Sequence, residues 1–368
     1  MSGLRRVLLA VTAGIVLLLL YLLLWPVPIE PVAWKAPADT GLTGAFAPND
    51  RLRGAALIEL GPHHGPEDIA GGPDGRIYVG TGDGAVLRLR PDGTGLAIFA
   101  ETGGRPLGLA FDAAGDLLVA NAYLGLQRVS TAGEVTTLVD SFDGRAILYA
   151  NDVAVAPDGQ IYFTDSSTRF GAGDAGGSYE ASLLDLLEHG GHGRVLRFDP
   201  ATGETSRVLD GLNFANGIAI GTDPRFLLVC ETGSYRVLRH WLDGPEAGRT
   251  EVVIDKLPGF PDNIDRGLDG RYWIGLVSPR NRVLDAVSDE PWLRRVVQRL
   301  PGALRPRAAG SSHLIAIGAD GEVRMDLQDP AARLPYLTGA HETPDALWMS
   351  SLFGSRVGRL DGLYPVGP

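Results

Sequence analysis

A short pattern recurs along most of this chain: one or two polar residues, an apolar-alternating strand, a tight Asp-Gly type turn, then a second strand with β-branched or aromatic residues. Internal repetition constrains a fold more than any single motif, because each copy is a unit that must bury its face against the next. Copies begin at residues 66–70 with the turn Pro73-Asp74-Gly75, at 106–110 with Ala114-Gly115, and at 150–154 with Pro157-Asp158-Gly159. Others begin at 215–219, at 261–264 with Asp269-Gly270, and more weakly at 312–316 with Asp320-Gly321. Spacings of roughly 40 to 65 residues suit four-stranded blades, and Asp-Gly supplies the positive φ that a tight hairpin needs. The pattern predicts an all-β, six-bladed β-propeller over residues 51–368. Residues 347–360 are expected to add strands to the last blade, and residues 52–60 to join it and close the ring, leaving no open edge.

The first 50 residues follow different rules. Residues 7–25 are an uninterrupted apolar run, and as a helix they would span about 28 Å, close to the thickness of a bilayer core. Arg5 and Arg6 precede the run, whereas Pro26, Pro28, Glu30 and Pro31 follow it. The positive-inside rule then predicts a single-pass signal anchor over residues 1–25, with its N-terminus cytoplasmic and the propeller extracytoplasmic. The run is long for a signal-peptide core and no small-x-small site follows it directly, so the anchor is read as uncleaved. Residues 26–50, rich in Pro, Ala and Gly, read as a linker lifting the propeller off the bilayer.

Two stretches at helical spacing, 179–189 and 282–300, break the β rhythm between repeats, and Pro291 splits the second. Each is expected to be a lid over one face of the propeller or a packed filler. The formal net charge is −11, with no basic cluster beyond the N-terminus. Such a field repels phosphate backbones, so nucleic acid is not an expected partner.

In a propeller the same position of every repeat points at one central axis. Aligning the copies brings Glu67, Leu107, Asn151, Asn216, the Asp262-Asn263 pair and His313 to that position. Two carboxylates and three carboxamides form an all-oxygen donor set whose formal charge balances a divalent ion. Such a set suits Ca²⁺ or another hard divalent cation, whereas zinc prefers His and Cys.

The stretch 151–281 carries FTDSS at 163–167, GRVLRFDPATGET at 193–205, FANGIAI at 214–220, ETGSYRVLRHWLDGPEAGRTEV at 231–252 and LPGFPDNI at 257–264. It resembles the strictosidine synthase-like family, and most of all its membrane-anchored adipocyte plasma-membrane-associated members. The likeness covers most of the globule and weakens after Pro279. It implies a place beside the paraoxonases and the gluconolactonase/senescence-marker proteins among calcium-dependent six-bladed propellers. By that resemblance Glu67, Asn151, Asn216, Asp262 and Asn263 match the paraoxonase calcium ligands, Asn151 lying closer to substrate in the gluconolactonases. Two departures stand out. The glutamate that strictosidine synthase uses before its last blade has no counterpart in Tyr336-Leu337-Thr338-Gly339, so alkaloid-type condensation is not expected. The paraoxonase-like histidine of the second blade is replaced in the region of Leu107.

Together these readings predict a membrane-anchored, calcium-dependent hydrolase of esters or lactones, arylesterase- or lactonase-like. The metal would act as Lewis acid at the channel mouth, with Asp262 or His313 as the acid–base group. A metal-bound carboxylate is a poor base at neutral pH, and a histidine is better matched. The alternative is a non-catalytic propeller, tethered to the bilayer and stiffened by metal, that binds a small ligand, a lipid or a protein.

Overall fold

Strand pairing gathers the chain into six four-stranded antiparallel sheets and one short hairpin, in a computed structural model that describes residues 3–223 and 225–363. The innermost strands are Asp68–Gly71, Pro106–Phe111, Ala150–Val155, Ala215–Ile220, Gly259–Arg266 and Leu337–Glu342. Each packs against the next and the last packs against the first, so the blades form a ring around an axis. Because a blade is sandwiched between two neighbours, its middle strands are buried on both faces. Phe226–Glu231 is buried at every position, and it reads as a continuous apolar run for that reason. The core lies between facing sheets: Phe226, Leu228, Tyr272, Ile274 and Ile315 fill one such space, and Leu118, Phe163 and Leu196 another.

The ring closes as expected. Ala56–Glu59 pairs antiparallel with Arg356–Asp361, Ala56 opposite Arg359, and so becomes the outermost strand of blade six. The expected sixth copy at 312–316, however, is not a blade start. Ser312–Gly318 and Val323–Asp329 are the third and fourth strands of blade five. The helical insertion at 282–300 separates them from their own first two strands, so their Asp320-Gly321 turn imitates a new repeat. The inner strand of blade six is Leu337–Glu342, with Thr338-Gly339 where blades three to five carry Asn or Asp.

Among the described residues four α-helices accompany the ring: α1 (Gly3–Leu24), α2 (Ser178–Glu188), α3 (Arg282–Ala286) and α4 (Pro291–Arg299). Asn281 caps α3 by accepting hydrogen bonds from the Val283 and Leu284 amides, and Pro291 occupies the first turn of α4, where its missing N–H costs nothing. The insertions lie inside blades three and five, linking second to third strands, rather than between repeats.

The segment expected as a linker is a docked strap. The Val32 amide donates to Glu188 O (2.9 Å) and the Trp34 amide to Ser288 O (3.2 Å), while the Trp34 ring stacks on His189 at 3.9 Å. Ile29 is buried, and Arg294 is 1% exposed, donating to the carbonyls of Leu187, Glu188, Val32 and Ser288. One guanidinium thereby ties strap, α2 and the α3–α4 turn together.

Candidate metal centre

In blades two to six the inner strand slips register at the axial doublets Leu107-Gly108, Asn151-Asp152, Asn216-Gly217, Asp262-Asn263 and Thr338-Gly339. Such a bulge frees residues from the ladder and re-aims their side chains. In blade one Glu67 stands just ahead of the inner strand, its amide donating to Gly80 O. The bulged backbones approach one another closely. A Cβ on Gly217 would lie 2.3 Å from Ile264 N, and one on Gly108 would lie 2.5 Å from Asp152 Cα, so both positions require glycine.

The carboxamides are held by their nitrogens. Asn151 Nδ2 donates to Ser166 Oγ (2.8 Å), Asn216 Nδ2 to Asp262 Oδ1 (2.5 Å), and Asn263 Nδ2 to Glu67 O (3.1 Å). Their oxygens are left over: Glu67 Oε2, Asn151 Oδ1, Asn216 Oδ1 and Asn263 Oδ1 are buried without a hydrogen-bond partner. An orphaned buried acceptor costs about 1–3 kcal/mol. Four of them on residues of one axial ring fit a cation that accepts oxygen donors. Among the described residues no group of three or more His, Cys, Asp or Glu is placed to hold a metal, and a set with only two carboxylates does not make one.

Electrostatics points the same way. Burial pushes the Glu67 carboxyl up to about 7, opposed by the Arg105 charge and by hydrogen bonding to Asn263. Burial, then the nearby Glu67 charge, holds Asp262 well above the usual carboxylate range. Asp68 and Asp152 are raised in the same way, by burial first. Four buried carboxyls from the alternate blades one, three and five, with Arg105 the cation acting on Glu67, disfavour their own ionisation until positive charge is supplied.

Asp68 and Asp152 were not among the expected residues. Asp68 Oδ2 accepts from Leu109 N (2.8 Å) and Asp152 Oδ2 from Ile218 N (2.7 Å), so each catches an amide at the bulge of the next blade. The available signal was the second residue of each doublet, which alternation assigns to the opposite face; a bulge re-aims Asp152, and Asp68 takes the same place in blade one without a bulge.

Above the ring is a pocket with an apolar wall. Glu67, Asn151, Asn216 and Asp262 line its floor, and Phe214, Phe260, Leu107, Leu186 and Leu284 its sides. Tyr149 OH donates to Ser178 O (2.7 Å), fixing the start of α2 over the opening. Both insertions are therefore lids as well as packing.

His313 does not join this ring. It sits on the third strand of blade five, its Nε2 2.6 Å from Asp326 Oδ2, and lines a separate crevice with Arg280 and Ser311. The axial place in blade six belongs to Thr338, whose Oγ1 donates to Glu67 O (2.6 Å). Among the described residues no histidine lines the axial pocket.

Comparison with known proteins agrees with this architecture. Residues 151–245 match the strictosidine synthase family, and residues 44–89 match the strictosidine synthase-like N-terminal family. Adipocyte plasma membrane-associated protein of Salmo salar is 33% identical, covering 97% of this chain and 90% of that protein. Strictosidine synthase-like protein 10 of Arabidopsis thaliana is 34% identical over 88% of this chain and 94% of its own length. Among solved structures, a gluconolactonase from Xanthomonas campestris superposes with a TM-score of 0.61 at 20% identity, covering 92% of this chain and 99% of that one. Regucalcin from Agrobacterium tumefaciens, a calcium-binding protein, superposes with a TM-score of 0.58 at 15% identity, covering 83% and 93%.

Proposed function

This chain belongs to the strictosidine synthase-like family, and from that premise we propose that it is a membrane-anchored, calcium-dependent hydrolase of esters or lactones. The observation that carries the reading is the set of four partnerless buried oxygens, on Glu67, Asn151, Asn216 and Asn263, beneath an apolar pocket. The fold shared with a gluconolactonase and with regucalcin supports it. So does α1, a helix of 22 residues that is apolar throughout its membrane-length core, has no buried residue, and is hydrogen-bonded to the propeller domain at its last turn. In this reading α1 crosses the bilayer with the N-terminus cytoplasmic, and the propeller stands on the far side.

Glu67, Asn151, Asn216, Asp262 and Asn263 would hold the ion. When bound, calcium would polarise the substrate carbonyl and offset the negative charge that develops on its oxygen. Phe214, Phe260, Leu186 and Leu284 exclude bulk water and take the apolar part of the substrate. Asp262 is the candidate base: it takes a proton from the attacking water as oxygen bonds to the carbonyl carbon. It then returns that proton to the leaving oxygen as the acyl C–O bond breaks. Strictosidine-type condensation is not part of this proposal, because among the described residues the pocket offers no glutamate besides Glu67.

A panel of aryl esters and lactones, assayed with calcium, with chelator and with Asn216→Ala, tests the proposal. Turnover should need calcium and fall about 100-fold or more in the variant. Chelator-resistant turnover would remove the metal from the mechanism. Calcium binding without turnover of any substrate would favour the second reading, a non-catalytic ligand-binding propeller, for which the lack of a pocket histidine among the described residues speaks.

A further inference from the structure

The outer end of the axial pocket lies beside the end of α1. A second cavity, between α2 and the loop after α4, shares Tyr179, Leu183, Leu186, Leu284, Pro306 and Arg307 with the pocket over the oxygen ring. The two spaces therefore have a common wall. At its far end the outer cavity is lined by Pro28, Leu184, Leu187, Gln298, Gly302 and Arg305.

Those far-end residues adjoin the anchor. Pro28 is a few residues beyond α1, and Gln298 precedes Arg299, which is bound to α1 itself. Arg299 Nη1 donates to Leu22 O (2.9 Å) and its Nε to Trp25 O (2.5 Å), while Tyr21 OH donates to Arg299 O (2.9 Å). The strap prevents this end from swinging away, because Val32 and Trp34 are bonded to α2 and to the α3–α4 turn. On the same helical hairpin and on the end of α1, large apolar side chains face solvent: Leu304 is 66% exposed, Trp25 61% and Trp292 54%. Large exposed apolar side chains beside a membrane helix mark an interfacial surface, and Trp is the residue most suited to the headgroup level.

We propose that this vestibule is a lateral portal, through which the site takes a long-chain amphiphile directly from the bilayer leaflet that receives the end of α1. The inference rests on reading α1 as a membrane anchor and names the substrate class of the proposed hydrolase: an ester or lactone with an acyl chain. The polar head reaches the oxygen ring while the chain lies along Leu183, Leu184, Leu187 and Leu284. Arg305 and Arg307 stand at the vestibule to meet lipid headgroups.

The test uses full-length protein in phosphatidylcholine vesicles and a long-chain fatty alcohol carrying a diazirine at mid-chain, which has no bond to hydrolyse. After irradiation, mass spectrometry should find adducts in the peptides containing Leu183–Leu187 and Gly302–Arg307. Leu184→Arg should cut them about tenfold, as a charge replaces an apolar wall. Leu304→Asp changes an exposed residue that lines neither cavity and keeps the test meaningful should the first variant not fold; it should lower labelling by the vesicle-borne alcohol while hydrolysis of a short soluble aryl acetate stays unchanged. Adducts confined to α1, or labelling indifferent to both variants, would overturn the portal. Portal labelling without turnover of any ester would leave the portal standing and remove the hydrolase reading.

Discussion

The floor and the roof of the pocket are built on opposite principles. The floor comes from one motif used repeatedly, bulged at its axial doublet in blades two to six, so that residues about 200 positions apart, such as Glu67 and Asn263, meet around one axis. The roof comes from segments with no counterpart elsewhere in the chain: α2 from blade three, α3 and α4 from blade five, and the strap from ahead of the ring. A repeat fixes geometry and charge, whereas insertions set who may reach it. Changes in the floor should therefore abolish ion binding, and changes in the roof should alter access and local stability while the ion still binds.

The sharpest attempt to break that division is Gly217→Ala. The added Cβ meets Ile264 N and Asn263 C, both backbone, so two blades must part. A loss of about 3 kcal/mol or more is expected, together with loss of the calcium-dependent rise in Tm; a variant that keeps that rise would show the floor to be more tolerant than its packing indicates. Next is Arg294→Ala, which strands four carbonyls in the roof. It should cost about 2–3 kcal/mol, and hydrogen exchange should quicken in α2 and residues 26–36, with calcium affinity unchanged. Loss of calcium binding there would join roof to floor.

The smallest effect concerns Asp185 on the inner side of α2. Burial pushes its carboxyl up to about 7, against the lowering effect of the Ser167 hydroxyl, which donates to Oδ2 at 2.6 Å. The folded protein thus holds a proton that the unfolded chain releases near pH 4. Stability contributed by this group is greatest below about pH 4, declines as pH rises towards 7, and is level above. Asp185→Asn should flatten that slope, leaving the variant about 1–2 kcal/mol more stable than the parent at pH 8 by chemical denaturation.

The floor was readable because a polar residue at the start of an otherwise apolar strand is costly unless it has a use, and Asn151, Asn216 and Asp262-Asn263 repeat that cost in register. Asp68 and Asp152 escaped because strand alternation sends neighbours to opposite faces; a bulge re-aims Asp152, whereas Asp68 opens an unbulged inner strand. His313 was misplaced by arithmetic of a similar kind: an insertion inside blade five made its second hairpin resemble a sixth repeat. In the roof, the helices at 179–189 and 282–300 showed in their periodicity, down to the break at Pro291. Their partners did not. Nothing in the Pro- and Ala-rich composition of residues 26–50 announces that Trp34 stacks on His189, because that contact depends on an arginine and a helix end found far along the chain.

The pairing of Ala56–Glu59 with Arg356–Asp361 also sets a timetable for biosynthesis. The first of these strands leaves the ribosome about 300 residues before its partner, and at synthesis rates of 5–20 residues per second it waits roughly 15–60 s. Through that interval α1 is already made, the earlier blades can stack, and blade six consists of its outer strand alone. The nascent protein carries an open sheet edge, and strand edges of that kind recruit other chains. A chaperone that covers the edge until the last strand arrives would shorten that exposure. Truncations that remove only the final strand should then be met as aggregates rather than as five-bladed proteins.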